Sequence, residues 1–381
     1  MSTKLKPYFP MLWEKSELLD EIKSRKELLS VYEKWSFENQ QQFLNFCTGV
    51  SGIKFLYDGF FKELMNPEYT PERLNEFLSL LLQTPVTVRE VLPNDSTRIT
   101  DESSLLITDI VVELEDGSLA NVEVQKIGYN FPGQRSACYS ADLLLRQYKR
   151  VRGTKGKHFS YKDIKSTYTI VLFETSTSHF QAFPNNYLHY FEHKSNTGLE
   201  LDLLQKFLFI PLDIFKKIQH NKIISSKLDA WLLFFSSDDP EDIIQLINEY
   251  PEFQAMYEQA YQMCRNVENV MGIFSEELRI LDRNTVQLMI DEMQDVINAQ
   301  KTTIDSQQGQ LAQWQATINA QQSTIDSQQG KLAESQATIN AQQSTIDSQQ
   351  GKLAESQATI NAQQSTIDEL KRQLEELRNK S

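Results

Sequence analysis

The chain has 381 residues, enough for one or two globular units with a substantial core and an extension beyond them. Its 52 acidic and 38 basic side chains give a formal net charge of -14, which excludes a uniformly basic nucleic-acid coat and leaves room for a local basic surface. Cys47, Cys138 and Cys264 form no CxxC pair, the pattern of reduced thiols in a cytoplasmic protein, and no window approaches the ~18 apolar residues of a membrane span.

Residues 1–36 read as an N-terminal extension. Helical periodicity runs from about 37 to 66 and again from Pro71 to Gln83. Three strand-like runs follow, near 86–91, 104–114 and 118–127. A helix opens just after "NFPGQ" and continues to about Tyr148. The apolar stretch "TYTIVLFE" (167–174) reads as a buried strand, and "LLQKFLFIPLDIF" (203–215) follows it. Helices resume with "LDAWLLFF", "PEDIIQLINEY" and "PEFQAMYEQAYQMC", the last two opened by a proline that suits a helix N-terminus. This order predicts an α/β domain with a mixed sheet over residues 37–215 and a helical subdomain over 216–285. His189 and His193 stand at helical i,i+4 spacing, but no HExxH acid adjoins them, so no zinc site is read there.

The segment "TDIVVELEDGSLANVEVQ" (108–125) carries the densest chemical information. A type I turn at "LEDG", with Gly117 left-handed, pairs Leu114 with Ser118 and sets Asp109 opposite Glu123 and Ile107 opposite Gln125. Alternation then gathers Asp109, Val111, Glu113, Asn121, Glu123 and Gln125 on one face. The other face carries Ile110, Val112, Leu114, Ala120, Val122 and Val124. It fixes the register, because a slip of one residue would bury the acids. An ordinary solvated face is the simplest alternative. Against it, like charges directly opposite on a sheet repel, and two close carboxylates raise each other's pKa unless a cation lies between them. Oxygen ligands of this kind suit Mg²⁺, which keeps several waters and bridges to phosphate oxygens, so the pair reads as a metal cradle for phosphodiester cleavage.

Downstream, "RQYKRVRGTKGKHFSYKDIK" (146–165) sets Arg146, Lys149, Arg150, Arg152, Lys155 and Lys157 among eight cations against the single acid Asp163. Charge runs are commonly solvated loops. Here the run directly follows the helix that leaves the acid hairpin, and phosphate contacts from it would give sequence-independent, salt-dependent affinity for DNA.

From about residue 286 the composition changes. "STIDSQQGKLAESQATINAQQ" occurs twice, from Ser323 and Ser344, after a diverged copy from Thr302. Ile or Leu recurs at every seventh position from Ile290 to Leu374, the signature of a long coiled coil. The partner core position is mostly Gln or Ser and becomes Leu only at Leu370 and Leu377, and Gly309, Gly330 and Gly351 each cost roughly 1 kcal/mol in a helix interior. Residues 286–381 are therefore expected to be a homo-oligomerising or spacing tail without a site of its own.

Asp109, the acidic-turn hairpin, "VEVQ" with Glu123 and Gln125, "RSACYSADLLLRQYKR" and "YTIVLFE" together resemble the bacterial recombination-promoting nuclease (Rpn) and transposase family of the PD-(D/E)XK nuclease superfamily. The resemblance covers about residues 40–295, including "LYDGFFKELMNPEYTPERLNEFLSLLL" and "LDRNTVQLMIDEMQ". It implies an αβββαβ core and Mg²⁺-dependent DNA endonuclease activity, with Asp109 and Glu123 as metal ligands. The superfamily's general pattern places Lys where this chain has Gln125, although Rpn-like members also carry Gln there. Gln125 can position water or phosphate but brings no positive charge. Lys126 is adjacent, yet alternation points it to the opposite face. Arg135 and Tyr139, four apart on the next helix, are auxiliary candidates. So are Glu63 and Glu90, because superfamily members often add an acid from an early helix. A catalytically decayed DNA-binding or scaffolding protein is the competing reading, and the intact Asp109, Glu123 and Gln125 set speaks against it. A purely structural coiled-coil protein leaves the first 285 residues unexplained.

Overall fold

The computed structural model describes residues 3–92, 110–126, 132–220 and 222–378. Five helices come first: α1 (Lys15–Ser24), α2 (Lys26–Lys34), α3 (Phe37–Thr48), α4 (Asp58–Leu64) and α5 (Pro71–Leu82). The single helix expected over 37–66 is thus two. α3 stops at Gly49, which takes a left-handed φ of 72°. A Cβ there would lie 2.5 Å from the Leu12 side chain, so the turn requires glycine on two counts.

Strands β1 (Val88–Val91), β2 (Ile110–Leu114) and β3 (Leu119–Gln125) lead into α6 (Pro132–Lys155) and then β4 (Thr167–Phe173). After α7 (Ser178–Gln181) come β5 (His189–Phe191) and β6 (Gln205–Pro211). The six strands form one mixed sheet in the order β1-β2-β3-β4-β6-β5, with β3, β4 and β6 parallel and the other neighbours antiparallel. From α5 through β4 the order is αβββαβ, as predicted. The run expected over 203–215 divides at Pro211 into β6 and α8 (Leu212–Gln219), and His189 lies on a strand rather than a helix. Helices α9 (Lys227–Ser236), α10 (Pro240–Glu249), α11 (Glu252–Met263) and α12 (Val267–Arg378) complete the chain.

One face of the sheet, with Ile110, Val112, Val122, Ile170 and Leu208, joins the main core, and Trp231, Phe234 and Phe235 of α9 belong to the same cluster. Leu5, Phe9, Leu18 and Ile22 enter that core as well, so the described part of the segment expected as an N-terminal extension contributes core residues. The segment 216–285 shares the same core, and the first compact unit runs from Met1 to Gln294.

The second unit is Asp295–Ser381, and its described part is continuous helix. Along it Ile304, Leu311, Ile318 and their successors through Leu374 are exposed. Gln322, Gln343 and Gln364 each donate to the Asp four residues on, at 2.9, 2.9 and 3.1 Å, a local support repeated every 21 residues. Gly309, Gly330 and Gly351 each follow an Ile of the row by five positions, about 140° round the helix. They stand off the apolar row, where a missing side chain removes no core contact. No helix among the described residues is long and apolar enough to cross a membrane.

Candidate active site

The hairpin closes as the turn chemistry predicts. Gly117 has φ 84°, Leu114 N–H donates to Ser118 O at 2.9 Å, and the Asp116 carboxylate accepts from Ser118 N–H at 2.8 Å. The register pairs Ile110 with Val122, Val111 with Asn121 and Val112 with Ala120, as the sequence required. Asp109 and its expected pairing with Glu123, like that of Ile107 with Gln125, lie outside the described residues.

The polar face is not solvated. Glu113, Asn121, Glu123 and Gln125 are all buried, with Glu123 only 1 % exposed. α6 shares this layer: its Leu143 packs with Val111 and Leu119. The helix runs back along β3, so that Arg135 near its start meets Glu123 while Gln147 Nε2, three turns later, donates to Gly117 O at 2.8 Å.

Glu123 is the centre of the buried end. Arg135 Nη2 donates to its Oε1 at 3.1 Å, and Gln125 Nε2 donates to the same atom at 3.2 Å. Arg135 Nε donates in turn to the Tyr139 hydroxyl at 2.7 Å, and Tyr139 is itself buried. Burial pushes the Glu123 carboxyl up to about 7, against the opposing pull of the Arg135 charge and of hydrogen bonds from Gln125, Arg135 and Tyr139. Glu123 Oε2 and Gln125 Oε1 have no hydrogen-bond partner among the described residues. Asn121, Ser136 and Thr169 add further unsatisfied polar atoms to the layer, of which Ser136 and Thr169 carried no sequence signal beyond polarity at an apolar-looking position.

Two buried acceptor oxygens, one on a carboxylate and one on an amide, make a donor set that fits a hard divalent cation. Glu123 and Gln125 are the described residues able to hold one. Among the described residues, no three or more His, Cys, Asp or Glu side chains converge.

The other predicted residues fall in several places. Lys126 lies on the opposite face, as alternation predicted, where it donates to Leu56 O and pairs with Glu277 at 3.3 Å and Glu174 at 3.7 Å. Glu63 is exposed on α4. Glu90, on β1, is opposite Glu113 and bound by Arg150 at 2.7 Å, so its charge is engaged two strands from Glu123. The basic run begins at the far end of α6: Arg150 is about 22 Å along the helix from Arg135. Four of its eight cations have local partners: Arg146 pairs with Asp142 at 2.7 Å, Arg150 with Glu90 and Glu113, and Lys155 with Asp163, while Arg152 donates to the Tyr148 hydroxyl. Lys149 and Lys157 are exposed, with no carboxylate at ion-pair distance among the described residues.

An αβββαβ core with a buried Glu-x-Gln strand under the following helix defines a nuclease-type architecture. A family model described as PD-(D/E)XK nuclease family transposase matches residues 56–288. The chain belongs to this family, whose members are nucleases that generally use divalent metal ions. No curated protein matches the chain. No solved structure matches it either.

Proposed function

We propose that the chain is a Mg²⁺-dependent DNA endonuclease whose metal ligands are Asp109 and Glu123, with Gln125 beside them. The observation that carries this reading is the pair of unsatisfied buried oxygens, Glu123 Oε2 and Gln125 Oε1. When bound, the cation supplies Lewis-acid polarisation of the phosphate and a more acidic water. Arg135 orients Glu123 through Oε1, leaving Oε2 for the ligand. It also brings to the site the positive charge that Gln125 lacks, which suits a developing phosphorane charge. Tyr139, bonded to Arg135 Nε, fixes the guanidinium plane. Lys149 and Lys157 offer exposed charge to the DNA backbone, whereas Arg146, Arg150, Arg152 and Lys155 are engaged by neighbours.

The tail enters the same proposal. An exposed row of Ile and Leu at every seventh position supports homo-oligomerisation through residues 286–381, which would bring two or more catalytic units together for double-strand cutting. A link to transposition rests on the family description alone, and one to recombination on the resemblance to the Rpn family alone.

Cleavage of supercoiled plasmid by the purified full chain with Mg²⁺ tests the reading. Nicking or linearisation that disappears with EDTA and in Asp109→Ala is the expected result. Equal cutting by Asp109→Ala would remove Asp109 from the site.

A further inference from the structure

The parallel and antiparallel registers run one row of residues across the sheet: Glu123 on β3, Val171 on β4, Phe209 on β6 and His189 on β5. Residues paired in this way share a face, so Phe209 and His189 lie on the face that carries Glu123. At about 4.8 Å per strand, Phe209 stands roughly 10 Å from Glu123, about three steps of a stacked nucleic-acid strand at 3.4 Å each.

Over the far half of that row opens a cavity of about 530 Å³. Its walls include Phe183, Phe191, Phe207 and Phe209, with His189 and His193 at the same opening. Phe183 and Phe191 are 57 % and 51 % exposed, so ring faces are presented to solvent rather than consumed by the core. Gly133 and Ala137 of α6 also line the cavity. Arg135 lies between them on the same turn but about 200° round the helix from each, so this one turn carries a guanidinium to Glu123 on one flank and borders the cavity on the other. Gln205, also in the wall, donates to Ser140 Oγ of α6 at 3.0 Å and ties β6 to that helix.

The lining selects among the parts of a DNA strand. Among the described residues no Lys or Arg lines the cavity and the Glu192 carboxylate does, so it is not built for phosphate. Aromatic faces stack on any base, and imidazole and amide groups offer donors and acceptors to a base edge. The volume lies within the roughly 300–1,000 Å³ common for pockets that take small ring systems. A paired base inside a duplex presents no free face to such a cavity; an extruded or single-stranded base does.

We propose that this aromatic cavity receives one unpaired base of the DNA strand whose phosphate is cleaved at Glu123. The inference rests on the nuclease reading above and adds a subsite to it, one that favours single-stranded or locally opened DNA.

The test is fluorescence anisotropy with the full chain carrying Glu123→Gln, which keeps the strand uncut, in Mg²⁺. The probes are a short single-stranded thymidine oligonucleotide and an abasic oligonucleotide of the same length. The thymidine strand is expected to bind about tenfold more tightly, and adding Phe183→Ala or Phe191→Ala should abolish that difference while abasic binding stays unchanged. Both rings are half-exposed, so neither substitution threatens the core. Equal binding of the two probes, or a difference that survives both substitutions, overturns the proposal. A change in oligomeric state with either substitution, without a change in base preference, also overturns it by giving the cavity to a second copy of the chain. If base preference is absent while plasmid cutting still needs Glu123, only the subsite fails; if no DNA is cut in a Glu123-dependent way, the nuclease reading itself fails.

Discussion

Arg135 and Glu123 meet 3.1 Å apart between α6 and β3, with the guanidinium one-fifth exposed and the carboxylate almost wholly buried. The pair couples a helix to the strand it covers, and the ionisation of one to the presence of the other. Removing the cation removes the first influence that opposes burial, so the Glu123 carboxyl should rise above about 7. Arg135→Ala is expected to slow cleavage roughly ten- to hundredfold at neutral pH and to move the acidic limb of the rate profile upward. Arg135→Lys should keep that limb near the wild-type position while still losing rate, because Lys has no donor at the Nε position that bonds Tyr139. The pH dependence of kcat/KM distinguishes the two.

Glu123 also makes stability depend on pH in a definite direction. Its folded-state pKa of about 7 lies above the ordinary 4.5, so between these values the folded chain binds more protons than the unfolded one. Stability from this group is therefore complete below about 4.5 and is lost as pH rises through 7. In metal-free protein at pH 8, Glu123→Gln should be the more stable chain, by at most roughly 3 kcal/mol, and the advantage should vanish at pH 4.5. Urea unfolding in EDTA at the two pH values measures it. Adding Mg²⁺ should raise the wild-type Tm and leave that of Glu123→Gln unchanged, because a ligand that binds only the folded chain stabilises it.

On the opposite face, Lys126 is the cation of a buried cluster that joins the end of β3 to α12. Burial pushes the Glu277 carboxyl up, and Lys126 at 3.3 Å pulls it down. Lys126→Met would leave Glu277 buried without its cation, at an expected cost of about 3 kcal/mol in urea unfolding. Combining it with Glu277→Leu should recover most of the loss, since the penalty lies in the unpaired charge.

The tail yields two expectations. A chain ending at residue 297 should be smaller in oligomeric state than the full protein in light scattering. Gly309, Gly330 and Gly351 have open space where a Cβ would stand, so changing all three to Ala should raise the melting temperature of the oligomer by the equivalent of about 1 kcal/mol per site.

The hairpin was legible in the sequence because three signals agreed: Gly117 at the turn, the apolar residues Ile110, Val112 and Leu114 at every second position, and the matching apolar residues Ala120 and Val122. Burial of the polar face was not. For Glu113, Asn121, Glu123 and Gln125 a solvated face stayed open as the alternative to a metal cradle, because what covers them is a helix whose packing is a tertiary fact. The same reversal of α6 explains the basic run. Adjacency in sequence brought Arg146–Lys157 close to the acids on paper, while the helix carries them to the turn end of β3, where Arg150 meets Glu113. The aromatic cavity was hidden for a related reason: Phe183, Phe191, Phe207 and Phe209 look like core residues until β5 and β6 are set side by side.

Single-turnover cleavage of a defined DNA, measured against Mg²⁺ concentration for the wild type and Glu123→Gln, tests the central claim most directly. The claim predicts a saturable Mg²⁺ dependence in the wild type and a loss of at least about a hundredfold in the variant, the scale of removing a charge that acts on the reacting phosphate. Cleavage by Glu123→Gln at the wild-type rate and with the same Mg²⁺ dependence would contradict it, and would place the chemistry away from the buried end of β3.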